Sequence, residues 1–320
     1  MNKTNTTKAI VLHLSVIAAL FIIQFFLPEY HHLTITRVMI LAIFAMGYNL
    51  LFGYVGLLSL GHAMFFGAGL YTAGMTTYHL GWSVPAAFAG GIAVGAVASL
   101  LIGIIALRTT GVSFMIVTMM FSQTAYLATL YFTTYTRGDE GFVLPEAARS
   151  FDMFGHIINL TDATTRYNIA LILLVISMVV IFTLVRSQTG RALVAIRENE
   201  ARTQMLGYNT FAIKLKALTV SGTLSATSGA AYALLFAYVG SSFTTIQYSI
   251  DALLYTLLGG AGTVLGPIVG TFMMFFMIDV VSEYTAAYLL VTGVLLIILV
   301  LFFPKGILGA VKNRWVKWLP

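Results

Sequence analysis

Residues 250–270 read IDALLYTLLGGAGTVLGPIVG. An apolar piece, 250–258, is cut off by Gly259-Gly260-Ala261-Gly262-Thr263 before a second apolar run begins at 264. At about 1.5 Å per residue the first piece falls well short of a hydrocarbon layer ~30 Å thick. Whether it nevertheless crosses decides the topology, because the composition commits the rest of the chain to a membrane. Of 320 residues, 59% are hydrophobic and 9% are charged, and mean hydropathy is +0.93. A soluble domain is roughly 45–50% apolar with about 25% charged residues. The composition therefore excludes soluble, disordered, collagen-like and disulfide-scaffold classes. With no cysteine and six scattered histidines, no metal-ligand spacing and no cysteine nucleophile is present.

Working outward from 250–270, apolar runs lie at 9–27, 34–52, 62–79, 84–107, 111–132, 168–185, 211–236, 264–280 and 285–303. The first is too long for a signal-peptide core, and Pro28-Glu29-Tyr30 is no cleavage site, so a retained span is expected. Basic residues orient the spans, since cytoplasmic loops collect Lys and Arg. Six lie in 186–216, four in 305–320, and Lys3, Lys8 and Arg108 complete thirteen of the seventeen. All can share the cytoplasmic side, with both termini there. The polar stretch 133–166 carries three arginines and five acids and is expected outside. From an inside N-terminus, six spans bring the chain back inside at 186. From 216 to 305 it must return inside again, yet only three long runs are available, so 250–258 must cross too, extended by its glycine turn. Irregular backbone at that depth must be buried in protein or line a wet cavity. The expected fold is an all-α polytopic membrane protein, residues 1–320 as one domain, with about ten crossings, one of them short and broken by a Gly-rich turn.

Four constellations stand out. The segment 187–210, SQTGRALVAIRENEARTQMLGYNT, is basic and bounded by Gly190 and Gly207. It reads either as an ordinary positive-inside loop or as one or two short helices docking on a partner, with Glu198 and Arg202 at i,i+4 spacing. Residues 49–62, with Asn49, Gly53, Gly56, Ser59, Gly61 and His62, read either as close helix packing or as an unwound segment presenting backbone to a solute. Gly259, Gly260 and Gly262 with Pro267 form either a tight turn or a half-helix start whose N–H groups could face a carboxylate. Gly91, Gly95, Ser99 and Gly103 make a small-residue face for helix packing. Trp82, Tyr131 and Tyr135 fit one aromatic belt, Trp315 and Trp318 the other.

No ionisable residue is expected at mid-membrane: Asp251, Asp279 and Glu283 fall near outer ends and Arg37 near the outer start of a span. That disfavours an ion-coupled secondary carrier, which places such groups inside the membrane. No catalytic set argues for an intramembrane enzyme, and no phosphate loop for ATP hydrolysis by this chain. No cofactor, metal or nucleic acid is expected.

The stretches GYNLLFGYVGLLSLGHAMFFGAGLYTAG (47–74), LRTTGVSFMIVTMMFSQ (107–123), TRGDEGFVLP (136–145), GRALVAIRENEARTQMLGYN (190–209) and GGAGTVLGPIVG (259–270) resemble, in order, the motifs of branched-chain amino acid ABC importer permeases of the LivM type. Arg137 and Glu140 depart from the small or polar residues usual in the third. The resemblance implies a non-enzymatic transport subunit in a bacterial inner membrane. It also implies a second homologous permease, two cytoplasmic ATPases, an extracytoplasmic substrate-binding protein, and amino acids, urea or short amides as cargo. It puts Gly190, Arg191, Arg197, Glu198, Arg202 and Gly207 in the ATPase-coupling loop. Asn49, Gly53, Gly56, Ser59, His62, Gly259, Gly260 and Gly262 are the translocation-path candidates.

Overall fold

Lipid offers a peptide group no hydrogen bond, so an apolar run must satisfy its own backbone, and each of the ten runs above carries a helix among its described residues. A computed structural model describes residues 3–153, 156–285, 287–302 and 306–314. In chain order the helices are α1 (Lys3–Ile23), α2 (Glu29–Asn49), α3 (His62–Leu80), α4 (Val84–Ala106), α5 (Val112–Tyr131), the single turn α6 (Thr133–Thr136), α7 (Ala163–Arg186), α8 (Gln188–Glu198), α9 (Glu200–Met205), α10 (Thr210–Phe236), α11 (Ile246–Gly259), α12 (Gly266–Tyr284), α13 (Tyr288–Phe302) and α14 (Gly306–Arg314). Among the described residues, five helical stretches are long and apolar enough to cross a membrane: His31–Val55, Val84–Ala106, Val112–Tyr131, Ala163–Arg186 and Gly266–Tyr284. Lys305, Trp315, Lys317 and Trp318 of the basic tail lie outside the described residues.

Helix α10 is the axis of the bundle, and small residues let three neighbours approach its backbone. A Cβ on Gly47 of α2 would stand 2.8 Å from the Ser221 carbonyl oxygen, and one on Gly69 of α3 2.0 Å from that of Ala226. The expected row on α4 meets α10 in antiparallel register: Gly91 faces Ala230, Gly95 faces Ala226, Ser99 faces Gly222 and Gly103 faces Leu218. The small-residue face therefore packs within this chain. Hydroxyls reinforce the seam, Ser228 donating to the Ile40 carbonyl (2.6 Å) and Ser221 to that of Gly47 (2.5 Å). Such contacts hold helices together where lipid removes the hydrophobic drive. Helix α1 lies along α7, with Tyr167 donating to the Leu20 carbonyl (2.5 Å) and His13 against Phe182.

The stretch 133–166 is not helical throughout. Strand β1 (Phe142–Val143) pairs antiparallel with β4 (Tyr238–Val239), and β2 (Ser150–Met153) with β3 (His156–Asn159). The all-α expectation is corrected to that extent: a polar segment free of lipid can pair as strands, and Gly141 at φ +68° turns it into β1. Buried Arg149 pins this hairpin end of the bundle to α10. It donates to the carbonyls of Leu234 (3.0 Å), Leu235 (2.5 Å) and Leu160 (3.0 Å). Two of these are last-turn carbonyls of α10, which lack helical partners and carry the negative end of its dipole. Burial, joined by the charge of Arg166, draws the Arg149 pKa below its ordinary value.

At the opposite, basic end the segment 187–210 forms two helices. Ser187 caps α8 through the Gly190 N–H, and Asn199 breaks the chain and caps α9 through the Arg202 N–H (2.8 Å). Because the break falls between Glu198 and Arg202, the expected i,i+4 pair does not form. Among the described residues the ion pair is Lys214 to Glu200 at 2.6 Å. Helix α8 turns Leu193 and Ile196 onto a second apolar cluster with Leu50, Leu51, Tyr54, Val55, Phe114 and Leu218.

Candidate functional site

Helix α2 does not stop at Asn49. It widens into a π-helical turn, Leu50–Val55, closed by Gly56 at φ +80°. A left-handed closing residue favours glycine, and here a Cβ would also stand 2.9 Å from Cγ of Arg197. A π-turn shifts the carbonyl register by one, and the Gly53 carbonyl accepts a hydrogen bond from Nη1 of Arg197. Asn49, 1% exposed, faces the glycine turn between α11 and α12. Its Oδ1 accepts from the Gly262 N–H (2.9 Å) and its Nδ2 donates to the Thr263 carbonyl (2.8 Å). One side-chain amide thus pairs with the turn as a strand would. A Cβ on Gly262 would stand 3.2 Å from the Gly53 oxygen and 3.3 Å from Nη1 of Arg197. Three stretches far apart in sequence, 49–56, 197 and 262–263, meet at one point.

The other candidates lie elsewhere. Ser59 accepts from the Gly61 N–H (3.2 Å), and the turn before α3 leans on α5, where a Cβ on Gly61 would stand 2.4 Å from the Thr118 carbonyl oxygen. His62 is fully buried, with Nε2 at 2.8 Å from the Ser221 hydroxyl. That hydroxyl gives its only proton to the Gly47 carbonyl, so Nε2 is the donor and the imidazole joins three helices. Gly259 belongs to the α11–α12 hairpin, its Cβ position 1.8 Å from the Gly266 oxygen. Gly260 ends α11 at φ +121°. At the start of α12 the Gly266 N–H is taken and Pro267 has none to offer. Gly266 donates to the Thr263 hydroxyl (3.1 Å), which donates to the Gly260 carbonyl (2.8 Å).

In the segment 187–210, Gly190 is buried against the α7 terminus, its Cβ position 2.1 Å from the Val185 oxygen. Arg191, Glu198, Arg202 and Gly207 are exposed, and Arg197 alone reaches back into the bundle. Sequence reasoning passed over the apolar tip: Met205 (86% exposed), Leu206 and Tyr208 stand in solvent beside Gly207. The signal was three apolar side chains beside Gly207 in an otherwise polar, basic stretch, since exposed apolar residues are available to a partner.

Over residues 32–301 the chain matches the family described as branched-chain amino acid transport system, permease component. It is 29% identical over 299 residues to the high-affinity branched-chain amino acid transport permease LivM of Salmonella typhimurium, covering 87% of this chain and 70% of that protein. The identity to LivM of Escherichia coli K12 is also 29%, with the same coverage. With LivH of Escherichia coli K12 the identity is 24% over 288 residues, 84% of this chain and 91% of that protein. No solved structure matches.

Proposed function

The chain belongs to the branched-chain amino acid transport permease family, and from that premise we propose that it is the membrane permease subunit of an ATP-driven amino-acid importer, with branched-chain or related amino acids as cargo. The observation that carries the mechanism is the junction of Asn49, Gly53, Arg197, Gly262 and Thr263. Its parts come from the helix bearing the early glycine motif, from the exposed helical pair, and from the broken hairpin α11–α12. In this reading the basic end faces the cytoplasm of a bacterial inner membrane, as the arginines and lysines require, with both termini on that side. All ten apolar helices cross, α11 only in part.

The exposed tip Met205-Leu206-Tyr208 would dock on a cytoplasmic ATPase. Arg191 and Arg202 would add charge-assisted hydrogen bonds to its acidic groups or carbonyls. A second, related permease and an extracytoplasmic binding protein complete the importer. A push on α8 is carried by Arg197 to the π-turn of α2, and by Asn49 to the turn between α11 and α12. These elements are broken where they meet, so a shift there re-aims them without unfolding a helix. Asn49, Gly53, Gly56 and Gly262 would then close the inner end of the pathway, while Ser59, His62, Gly259 and Gly260 hold its walls.

The chain contains no cysteine, which makes labelling direct. Single cysteines at Ser187 and Ala310 should react only from the cytoplasmic side, and one at Met205 should cross-link to the ATPase. Arg191→Glu with Met205→Asp should lower leucine uptake and coupled ATP hydrolysis at least tenfold with normal insertion. Unchanged uptake would remove the coupling role, and outside labelling at 310 would remove the topology.

A further inference from the structure

Helices α1 and α7 run antiparallel, since His13 meets Phe182 with 5.0 Å between ring centres and the Leu20 carbonyl meets Tyr167. The start of α1 and the end of α7 therefore share one end of the bundle. Between the two helices lies a groove of about 170 Å³, lined by Ile10, Leu14 and Ile17 on one side and by Met178, Val179 and Phe182 on the other. His13 also reaches it, but spends its Nδ1–H on the Ala9 carbonyl (2.6 Å). Ile10, Leu14 and Val179 are exposed in the single chain, so the groove opens on the side that faces lipid. An apolar cavity of about 150 Å³ holds a benzene ring, and this groove has room for a stretch of acyl chain.

Arg186, the last residue of α7, stands at the mouth of this groove. Its guanidinium carbon lies 4.2 Å from the centre of the Phe182 ring. Its Nε and Nη2 are buried and have no hydrogen-bond partner among the described residues. A ring face attracts the charge but takes none of these N–H groups, and an unpaired buried donor on a charged group is costly. Neither helix supplies a counter-ion: α7 has no acidic residue, and residues 1–28 carry Lys3 and Lys8 and no acid. Lys8 is exposed and lies about 7.5 Å nearer this end than His13, as Arg186 lies about 6 Å nearer it than Phe182. Two cations at one level, one of them desolvated above an apolar slot, fit an amphiphile with an anionic head. Basic pockets between membrane helices take such headgroups on the cytoplasmic side.

We propose that Arg186 and the α1–α7 groove bind an anionic phospholipid of the cytoplasmic leaflet, its phosphate on the Arg186 guanidinium and a stretch of one acyl chain along Ile10, Leu14, Met178 and Val179. The guanidinium meets the phosphate by turning outward from the ring, which breaks no hydrogen bond and gains charge-assisted ones. Lys8 adds a second positive charge at the same level. The bound lipid ties α1 to α7 next to Ser187, the cap of α8, and so steadies the root of the exposed helical pair. The choice of leaflet rests on the orientation proposed above; the lipid site itself does not.

The test titrates the full-length chain in nonionic detergent with dioleoylphosphatidylglycerol or dioleoylphosphatidylcholine and reads the first lipid adduct by native mass spectrometry. Wild type should bind the anionic lipid at least fivefold more tightly. Arg186→Gln should bring the two lipids within twofold of each other, while Arg186→Lys keeps at least a twofold preference. Arg108→Gln, which removes an exposed charge elsewhere at the basic end, should leave the preference unchanged. Leu14→Trp, which fills the groove, should weaken binding of the anionic lipid at least threefold, and millimolar inorganic phosphate should not displace it. Should Arg186→Gln fail to fold, Arg186→Lys and Leu14→Trp decide by the same margins. Equal affinity for both lipids in wild type, a preference that survives Arg186→Gln or falls as far in Arg108→Gln, full affinity in Leu14→Trp, or displacement by phosphate overturns the site. Labelling of a cysteine at Ser187 from outside would overturn the leaflet assignment alone.

Discussion

The junction at Asn49 makes a quantitative demand on paired substitutions. Asn49→Ala removes two hydrogen bonds and leaves the Gly262 N–H and the Thr263 carbonyl without their partners. Thr263 is 2% exposed, so water cannot replace the lost donor. At about 1–3 kcal/mol for each orphaned buried group, and with Gly262 only half-buried, the cost is about 2–4 kcal/mol. Arg197→Ala removes one charge-assisted bond to Gly53 from a side chain that is largely in solvent, costing about 1–2 kcal/mol. The two bonds share one framework, because Gly262 packs against both Gly53 and Arg197. Releasing the glycine turn loosens the carbonyl that Arg197 holds. The double variant should therefore fall short of the sum by about 0.5–2 kcal/mol, the range found for residues within one network. Reversible unfolding in mixed detergent–SDS micelles of wild type, both single variants and the double variant measures this. Additivity within about 0.3 kcal/mol would show that the two contacts are independent, and the proposed relay through the junction would lose its physical basis.

Two further outcomes follow from packing and satisfaction of buried groups. Arg149→Met keeps much of the volume but strands the Leu234 and Leu160 carbonyls, and leaves Leu235 with the 3.5 Å contact from Arg166. It should cost about 3–5 kcal/mol and open the 142–160 segment to protease, measured by limited digestion. Gly95→Val puts a branched side chain where a Cβ alone stands 2.0 Å from Ala226. It should lower the detergent melting temperature and folded yield through about 1–3 kcal/mol or more of overpacking. Gly90→Ala, whose Cβ meets the Trp82 ring edge at 3.3 Å and the Thr72 methyl at 3.9 Å, should be nearly silent.

The helices were legible because lipid allows an apolar run so few alternatives, and the short apolar piece at 250–258 lies within α11. What sequence could not supply was depth. Asp251 follows a polar stretch, so counting along the chain puts it at the surface. Only the small residues of α3 let residues 238–245 descend beside it. Nor could sequence separate two kinds of glycine motif that look alike in one dimension. Gly53 and Gly262 frame a junction, whereas Gly259 and Gly61 permit close contact with neighbouring backbone. The difference lies in the partner, which is over 140 residues away for the Arg197–Gly53 bond. The small-residue row on α4 was readable because its spacing of four repeats on one helix face, and α10 answers it with its own small residues.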